Sequence, residues 1–219
     1  MNYLGTRHLF WGFLVIVLAG ASGIALWTGP GTWPRQGGWD ERPLEGLNNF
    51  GTVPDFSFIE RSGKSVKLSD FQGKIWIANF MYTSCTDTCL LQSAELARLQ
   101  TELPPEADVR LVSITIDPER DVPQVLSCYA ERLEADLNRW LFLTGEREEI
   151  YRLTHEGFRL SAVPVSSIKD KNDSAILHSS RFVLVDGEAK IRGYYDSSDL
   201  EALVRLRRDL KTLLRMNRK

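Results

Sequence analysis

Residues 75–89 read IWIANFMYTSCTDTC, an apolar run that leads into two cysteines separated by three residues. The run from Ile75 to Tyr82 is rich in β-branched and aromatic residues, which predicts a buried strand. From Cys89 onward apolar residues return at helical spacing, so we expect a helix that begins near this cysteine and ends before Pro104. The two cysteines therefore mark the point where a buried strand passes into a helix.

Thiols at such a junction have chemistry of their own. A thiol near a helix N-terminus has its thiolate form favoured by the helix dipole and by free amide groups. Residues four apart on a helical turn face the same way, so Cys85 and Cys89 can form a disulfide or bind one soft metal ion together. The spacing alone does not choose between redox work and metal binding, and a buried structural pair is the third interpretation.

Strands alternate with helices along the rest of the chain. The predicted strands are 56–59 and 66–68, which form a hairpin, then 75–82, 109–116, 140–143, 181–185 and 190–195. The predicted helices begin near residues 89, 121, 146 and 198; the first carries Leu91, Ala94, Leu96 and Leu99 on its apolar side, and Asp121 starts the second. This order predicts an α/β fold of thioredoxin-like build with an N-terminal β-hairpin.

Composition limits the class of function. The chain has 219 residues with 27 basic and 29 acidic side chains, a net charge of −2, which argues against general nucleic-acid binding. Its 43% hydrophobic and 26% charged residues are typical of a globular domain and exclude disorder and fibrous repeats. Three cysteines are too few for a small disulfide-rich scaffold, so a pair among them is expected to be reactive or metal-binding.

An apolar stretch near the amino terminus predicts a membrane anchor. Residues 9–27 contain no charge and, as a helix, extend about 28 Å, close to the thickness of a bilayer core. We interpret them as a single transmembrane helix that follows a short cytoplasmic segment, residues 1–8, because Arg7 precedes the span. A cleaved signal peptide ending at residues 19–21 is the alternative.

The remainder is expected to lie in the bacterial periplasm, where thiol chemistry can be oxidising. Residues 28–51 hold three prolines and several glycines and are predicted to form a flexible linker to the domain, residues 52–219. The last helix is basic from Arg205 onward, with Asp209 as its acidic residue there. We interpret this face as solvated, with contact to anionic lipid or an acidic partner as the alternative.

A histidine completes a candidate metal site. His178 precedes the predicted strand at 181–185, and two thiolates with one imidazole suit copper as Cu(I) or Cu(II). Zinc accepts the same donors, but a structural zinc site normally has a fourth protein ligand. His155 is the spare candidate and is expected to be exposed.

Several segments together carry a resemblance to a known family. They are the anchor, IWIANFMYTSCTDTC at 75–89, LVSITIDPERDVPQVLSCYA at 111–130, FLTGEREEI at 142–150 and LHSSRFVLVDGEAKI at 177–191. Over about residues 50–215 the sequence resembles the SCO/SenC family of copper-binding, thioredoxin-fold assembly factors for cytochrome c oxidase. The resemblance implies that Cys85, Cys89 and His178 bind copper.

The resemblance also implies a role and partners. We expect a copper chaperone, anchored in the bacterial inner membrane, that helps assemble the dinuclear copper site of the oxidase. Its partners would be the copper-bearing oxidase subunit and another copper chaperone or a periplasmic thiol reductase. The alternative is an enzyme, a thiol–disulfide reductase that keeps the oxidase cysteines reduced; a thiol peroxidase or a copper-responsive sensor is more distant.

The sequence departs from the family pattern beside both cysteines. Thr86 and Leu90 stand where the family usually has proline, which affects loop rigidity and the redox properties of the pair. Asp117 occupies the acidic position of the family, where it can influence the metal site or a partner, or simply form a turn and helix start. Cys128 is expected to be a helix thiol and not a ligand.

Overall fold

The computed structural model describes residues 47–85, 88–160 and 180–217. All of them belong to one compact unit, Leu44–Lys219. None of the helices in these three ranges has both the length and the apolarity needed to cross a membrane. The predicted anchor at 9–27 and the predicted ligand His178 lie outside the described residues.

The described residues form a seven-stranded sheet in the order β2-β1-β5-β4-β3-β6-β7. The strands are β1 Ser57–Glu60, β2 Ser65–Lys67, β3 Ile75–Met81, β4 Val109–Thr115, β5 Trp140–Thr144, β6 Arg181–Val185 and β7 Ile191–Asp196. β3, β4 and β5 are parallel, and the other neighbouring pairs are antiparallel. The predicted α/β architecture and its N-terminal hairpin, in which Phe58 pairs with Val66, are confirmed.

The register of the two central strands positions the cysteine segment. β3 pairs with β4 along its whole length, from Ile75 opposite Val109 to Met81 opposite Thr115. Parallel strands in register end at the same edge of a sheet. The loops that follow β3 and β4 therefore leave the sheet side by side, and the first of these loops carries Cys85.

A chain of polar side chains inside the sheet ties the three parallel strands together. Ser113 of β4 donates a hydrogen bond to Asn79 of β3 over 2.7 Å, and the indole of Trp140 in β5 donates to Ser113 over 3.0 Å. All three side chains are fully buried. Such bonds are lost if a strand slips, so they help fix the register on which the site depends.

Four helices lie in the described ranges: α1 Thr88–Glu102, α2 Pro123–Arg132, α3 Arg147–Arg152 and α4 Leu200–Met216. A π-helical turn, Leu153–Gly157, continues α3, and a 3₁₀ turn covers Leu68–Phe71. Four helices are found where the sequence predicts them, although the start of α2 differs. On α4, Leu203, Leu206, Leu210 and Leu213 are buried as their spacing predicts.

The predicted apolar side of α1 is wrong in its first half. Leu91 is 61% exposed and Ala94 is also exposed, whereas Gln92 and Ser93 are buried. Cys89 faces inward, and the positions three and four residues later share its face whatever their polarity. The inward cysteine, and not the leucine pattern, therefore sets the orientation of this helix.

The predicted start of α2 is also corrected. The residue before the helix is Val122, with Pro123 in the first turn, and Asp121 does not cap it. The helix ends at Arg132. The Asp121 side chain is directed instead to the end of the sheet.

Candidate functional site

The two predicted site cysteines lie together at the end of β3. A turn after the strand brings the amide of Cys85 to the carbonyl of Tyr82, over 3.3 Å, and Cys89 follows in the first turn of α1. Their side chains are 7% and 1% exposed, and both are thiols and not a disulfide. The Cys89 thiol and the Tyr82 hydroxyl both hydrogen-bond to the Cys85 sulfur.

These contacts favour protonated groups around the Cys85 sulfur. The hydrogen bond to Cys85, followed by burial, raises the pKa of Cys89, and a weaker backbone contact with Tyr82 opposes the rise. Burial, followed by the hydrogen bond to Cys85, raises the pKa of the Tyr82 hydroxyl. The expected lowering of the thiol pKa by the helix dipole is therefore outweighed at Cys89. A metal ion that binds this sulfur must displace its proton.

A buried carboxylate that sequence reasoning missed lies beside this turn. Asp121 is 1% exposed and accepts hydrogen bonds from the amide of Thr83 over 3.0 Å and from its hydroxyl over 2.5 Å. The hydroxyl of Thr115, the last residue of β4, donates to the same carboxylate over 2.5 Å. The carboxylate thus joins the loop after β4 to the loop that carries Cys85.

Asp117 forms the turn that its sequence context predicts. Its carbonyl accepts from the amides of Arg120 and Asp121, and its own amide donates to the hydroxyl of Thr115. The carboxylate is 4% exposed and 3.3 Å from the Arg120 guanidinium. Burial raises the pKa of Asp117, an effect that Arg120 only partly offsets. Asp117 also raises the pKa of Tyr82 by its charge, the smallest of the causes at that tyrosine.

The remaining candidates are placed less centrally. His155 is exposed on the π-helical turn, as predicted, and Cys128, predicted to be a helix thiol, is exposed on α2. Leu90 is half-exposed in the first turn of α1, while Thr86 and His178 lie outside the described residues. Within residues 47–85, 88–160 and 180–217, no three His, Cys, Asp or Glu side chains are grouped to hold a metal ion.

The described part of the site therefore supplies two adjacent sulfur donors. Thiolates are soft ligands that select Cu(I) and other soft ions over Mg²⁺ or Ca²⁺. The two sulfurs interact with each other, so they are placed to bind one such ion together. The donor set fits copper.

Comparison with known proteins identifies the family of this chain. A model of the SCO1/SenC family matches residues 46–215. This chain belongs to the SCO1/SenC family. The fold and the cysteine segment described above are thus those of a SCO1/SenC domain.

Three solved structures of this family are similar to the chain. A SCO1/SenC family lipoprotein from Bacillus anthracis is 29% identical with a TM-score of 0.66, over 74% of this chain and 94% of its own. BsSco, a member of the Sco family of cytochrome c oxidase assembly proteins in which a disulfide switch was identified, is 26% identical with a TM-score of 0.63, over 77% and 95%. ScoI of Arabidopsis thaliana, solved with copper bound, is 25% identical with a TM-score of 0.60, over 74% and 99%. Relatives of this chain therefore bind copper and serve in oxidase assembly.

Proposed function

We propose that this protein is a membrane-anchored copper chaperone that helps assemble the dinuclear copper site of cytochrome c oxidase. The observation that carries the proposal is the contact between the thiols of Cys85 and Cys89 at the end of β3, in a SCO1/SenC domain. The copper-bound relative and the oxidase-assembly relative support the cargo and the target.

Three side chains would hold the cargo. Cys85 and Cys89 supply two sulfurs that favour Cu(I), and His178 supplies an imidazole that also supports Cu(II). Copper leaves by ligand exchange with the acceptor, so each donor must be able to change partner. The Cys85 sulfur already accepts hydrogen bonds from Cys89 and Tyr82 and keeps a protected position, 7% exposed, at the edge of the sheet.

The proposal includes a location. Residues 9–27 anchor the chain in the bacterial inner membrane as a single span, and a linker joins that span to a periplasmic domain that includes the buried Leu47. The apolar run without charge supports the anchor. A similar member of the family is a lipoprotein, which also supports a membrane-associated domain. A domain tethered in this way would meet the copper-bearing oxidase subunit at the periplasmic face of the inner membrane. A second copper chaperone or a thiol reductase would be met at the same membrane face.

A second function is favoured by the two adjacent thiols, which are not joined in a disulfide. In a thiol–disulfide reductase the Cys85 thiolate attacks one sulfur of a substrate disulfide and releases the other as a thiolate, which takes up a proton. Cys89 then displaces the substrate from the mixed disulfide, which leaves a Cys85–Cys89 disulfide and a substrate dithiol. The greater exposure of Cys85 suits the attacking role, and BsSco contains a disulfide switch.

Metal binding by variants separates the two functions. The reduced protein is given Cu(I) or Cu(II), and bound copper per chain is measured for wild type, Cys85→Ser and His178→Ala, with Cys128→Ser and His155→Ala as matched controls. A chaperone takes up one copper per chain, loses it in Cys85→Ser, loses Cu(II) in His178→Ala and is unchanged in both controls. A reductase takes up none, yet reduces disulfides at the wild-type rate in His178→Ala.

A further inference from the structure

We propose that Asp121 is the positioning residue of the dithiol site. Its buried carboxylate holds the turn that carries Cys85 against the end of β4 and so sets the distance between Cys85 and Cys89. The proposal rests on the proposed function only in taking this thiol pair as the working site. The position of Asp121 in the sequence, just before α2, predicts only a helix start and not this role.

The carboxylate reaches the cysteine turn at two points of one residue. The amide and the hydroxyl of Thr83 both donate to Asp121, one to each oxygen. Two bonds fix the position and the rotation of that residue, whereas a single bond would leave it free to pivot. Cys85 is two residues further along the same turn. The turn is closed by a hydrogen bond from the Cys85 amide to the Tyr82 carbonyl.

The carboxylate is itself held in place from the other side. The amide of Asp121 donates to the carbonyl of Asp117 over 2.9 Å, and the Thr115 hydroxyl donates to the carboxylate. Thr115 lies in β4, in register with Met81 at the end of β3. The sheet, the loop after β4 and the cysteine turn therefore form one closed hydrogen-bonded unit.

The residues that follow the two cysteines in the sequence are not prolines. Neither Thr86 nor Leu90, which follow Cys85 and Cys89, is a proline, so no ring fixes the backbone after either thiol. The Thr83 amide and hydroxyl donate hydrogen bonds to a buried carboxylate. Hydrogen bonds to a charged acceptor are stronger than those between neutral groups. We therefore assign the rigidity of the turn to Asp121.

The test measures how readily Cys85 and Cys89 form a disulfide. The full-length protein is equilibrated with reduced and oxidised glutathione, and the equilibrium constant for closing the Cys85–Cys89 disulfide is read by mass spectrometry after alkylation. Asp121→Asn is expected to lower this constant about tenfold, which for a two-electron couple is about 30 mV. The readout needs no copper, so a wild type that fails to bind copper overturns the proposed function and leaves this inference standing.

Two variants of Thr83 separate positioning from charge. Thr83→Val removes the hydroxyl bond without changing any charge and is expected to lower the constant about threefold. Thr83→Ser retains the hydroxyl and is expected to restore the wild-type value. Because both changes are small, they decide the question even if Asp121→Asn fails to fold.

A distant bond of the same kind is the control. The hydroxyl of Tyr195 donates to the buried carboxylate of Asp209 over 2.8 Å, between β7 and α4. Tyr195→Phe should lower thermal stability and leave the disulfide constant unchanged. If Asp121→Asn and Thr83→Val lower stability in the same way but shift the constant less than twofold, Asp121 is only structural. A wild-type pair that forms mixed disulfides with glutathione but never closes would also overturn the proposal.

Discussion

The amino-terminal and carboxy-terminal ends of α1 are held by different kinds of contact. At the amino-terminal end the Cys89 thiol hydrogen-bonds to the sulfur of Cys85, and so does the Tyr82 hydroxyl. At the other end Glu102 pairs with Arg98 over 3.2 Å and with Arg207 of α4 over 2.6 Å.

The two ends of α1 therefore have different roles: the amino-terminal end carries the candidate site, and the carboxy-terminal end attaches α1 to α4. Sulfur and hydroxyl groups that bond to one another can exchange a proton or a partner for a metal ion. The ion pairs of Arg207 at the other end join α1 to α4 and contain no sulfur donor for a soft metal ion. We infer that α1 is fixed at its carboxy-terminal end and presents exchangeable ligands at its amino-terminal end. Variants at each end, and in the buried middle, can test this division.

The largest effect is expected at the sulfur end. Cys89→Ser should weaken Cu(I) binding by at least about 1000-fold, or about 4 kcal/mol, because a hard hydroxyl replaces a soft ligand. The free energy of unfolding should change by no more than about 1 kcal/mol, since the shape of the side chain is nearly kept. Competition with a Cu(I) chelator and urea unfolding give the two values.

Cys128→Ser is the matched control for that change. It makes the same replacement on exposed α2 and should leave both values unchanged. Equal loss of Cu(I) affinity in the two variants would contradict the assignment of the site.

The middle of α1 should affect stability and not metal binding. Leu96 is fully buried, so Leu96→Ala should lower the free energy of unfolding by about 3 kcal/mol through lost packing and the cavity left behind. Leu91→Ala, the same change on the exposed face of this helix, should cost less than about 0.5 kcal/mol. Urea unfolding compares them, and a larger loss at Leu91 would show that the inward face of the helix is wrongly placed.

The charged end of α1 is expected to give the smallest effect. Arg207→Gln should lower the free energy of unfolding by at most about 1 kcal/mol at neutral pH, because Glu102 is partly exposed and water screens the pair. Copper affinity should not change. Lys211→Gln, an exposed charge on the same helix, is the control and should have no effect on stability.

The same pair predicts a dependence on pH. The hydrogen bond to Arg207 lowers the pKa of Glu102 from its ordinary value of 4.5. The stabilisation is therefore fully present above pH 4.5 and is lost as the pH falls through the lowered value. Chemical unfolding over this range should show the difference between wild type and Arg207→Gln shrink in acid. A constant difference would mean that the arginine stabilises the helices by packing alone.

The fold and the cysteine pair could be predicted because their signals are local. The run at 75–82 is apolar throughout, and the pair at Cys85 and Cys89 falls where that run meets a helical pattern. Neighbouring residues determine both features. The third proposed ligand, His178, stays a prediction.

Contacts between distant segments could not be predicted in this way. Thr83 and Asp121 are 38 residues apart, and their bond depends on the register of β3 and β4. Ser93 faces inward on α1 because its hydroxyl meets that of Tyr129 on α2 over 2.9 Å. Hydrophobic periodicity assigns such polar residues to the surface. It therefore predicted the wrong buried face for the first half of α1, and for Asp121 it predicted only the start of a helix.

The central claim is that Cys85, Cys89 and His178 bind one copper ion. Copper K-edge X-ray absorption of the full-length protein loaded with Cu(I) reports the atoms bound to the metal. Two sulfur neighbours and one nitrogen are expected, with the nitrogen absent in His178→Ala and the sulfurs absent in the double variant Cys85→Ser, Cys89→Ser. A copper shell of oxygen and nitrogen alone, or a shell unchanged in the double variant, would contradict it.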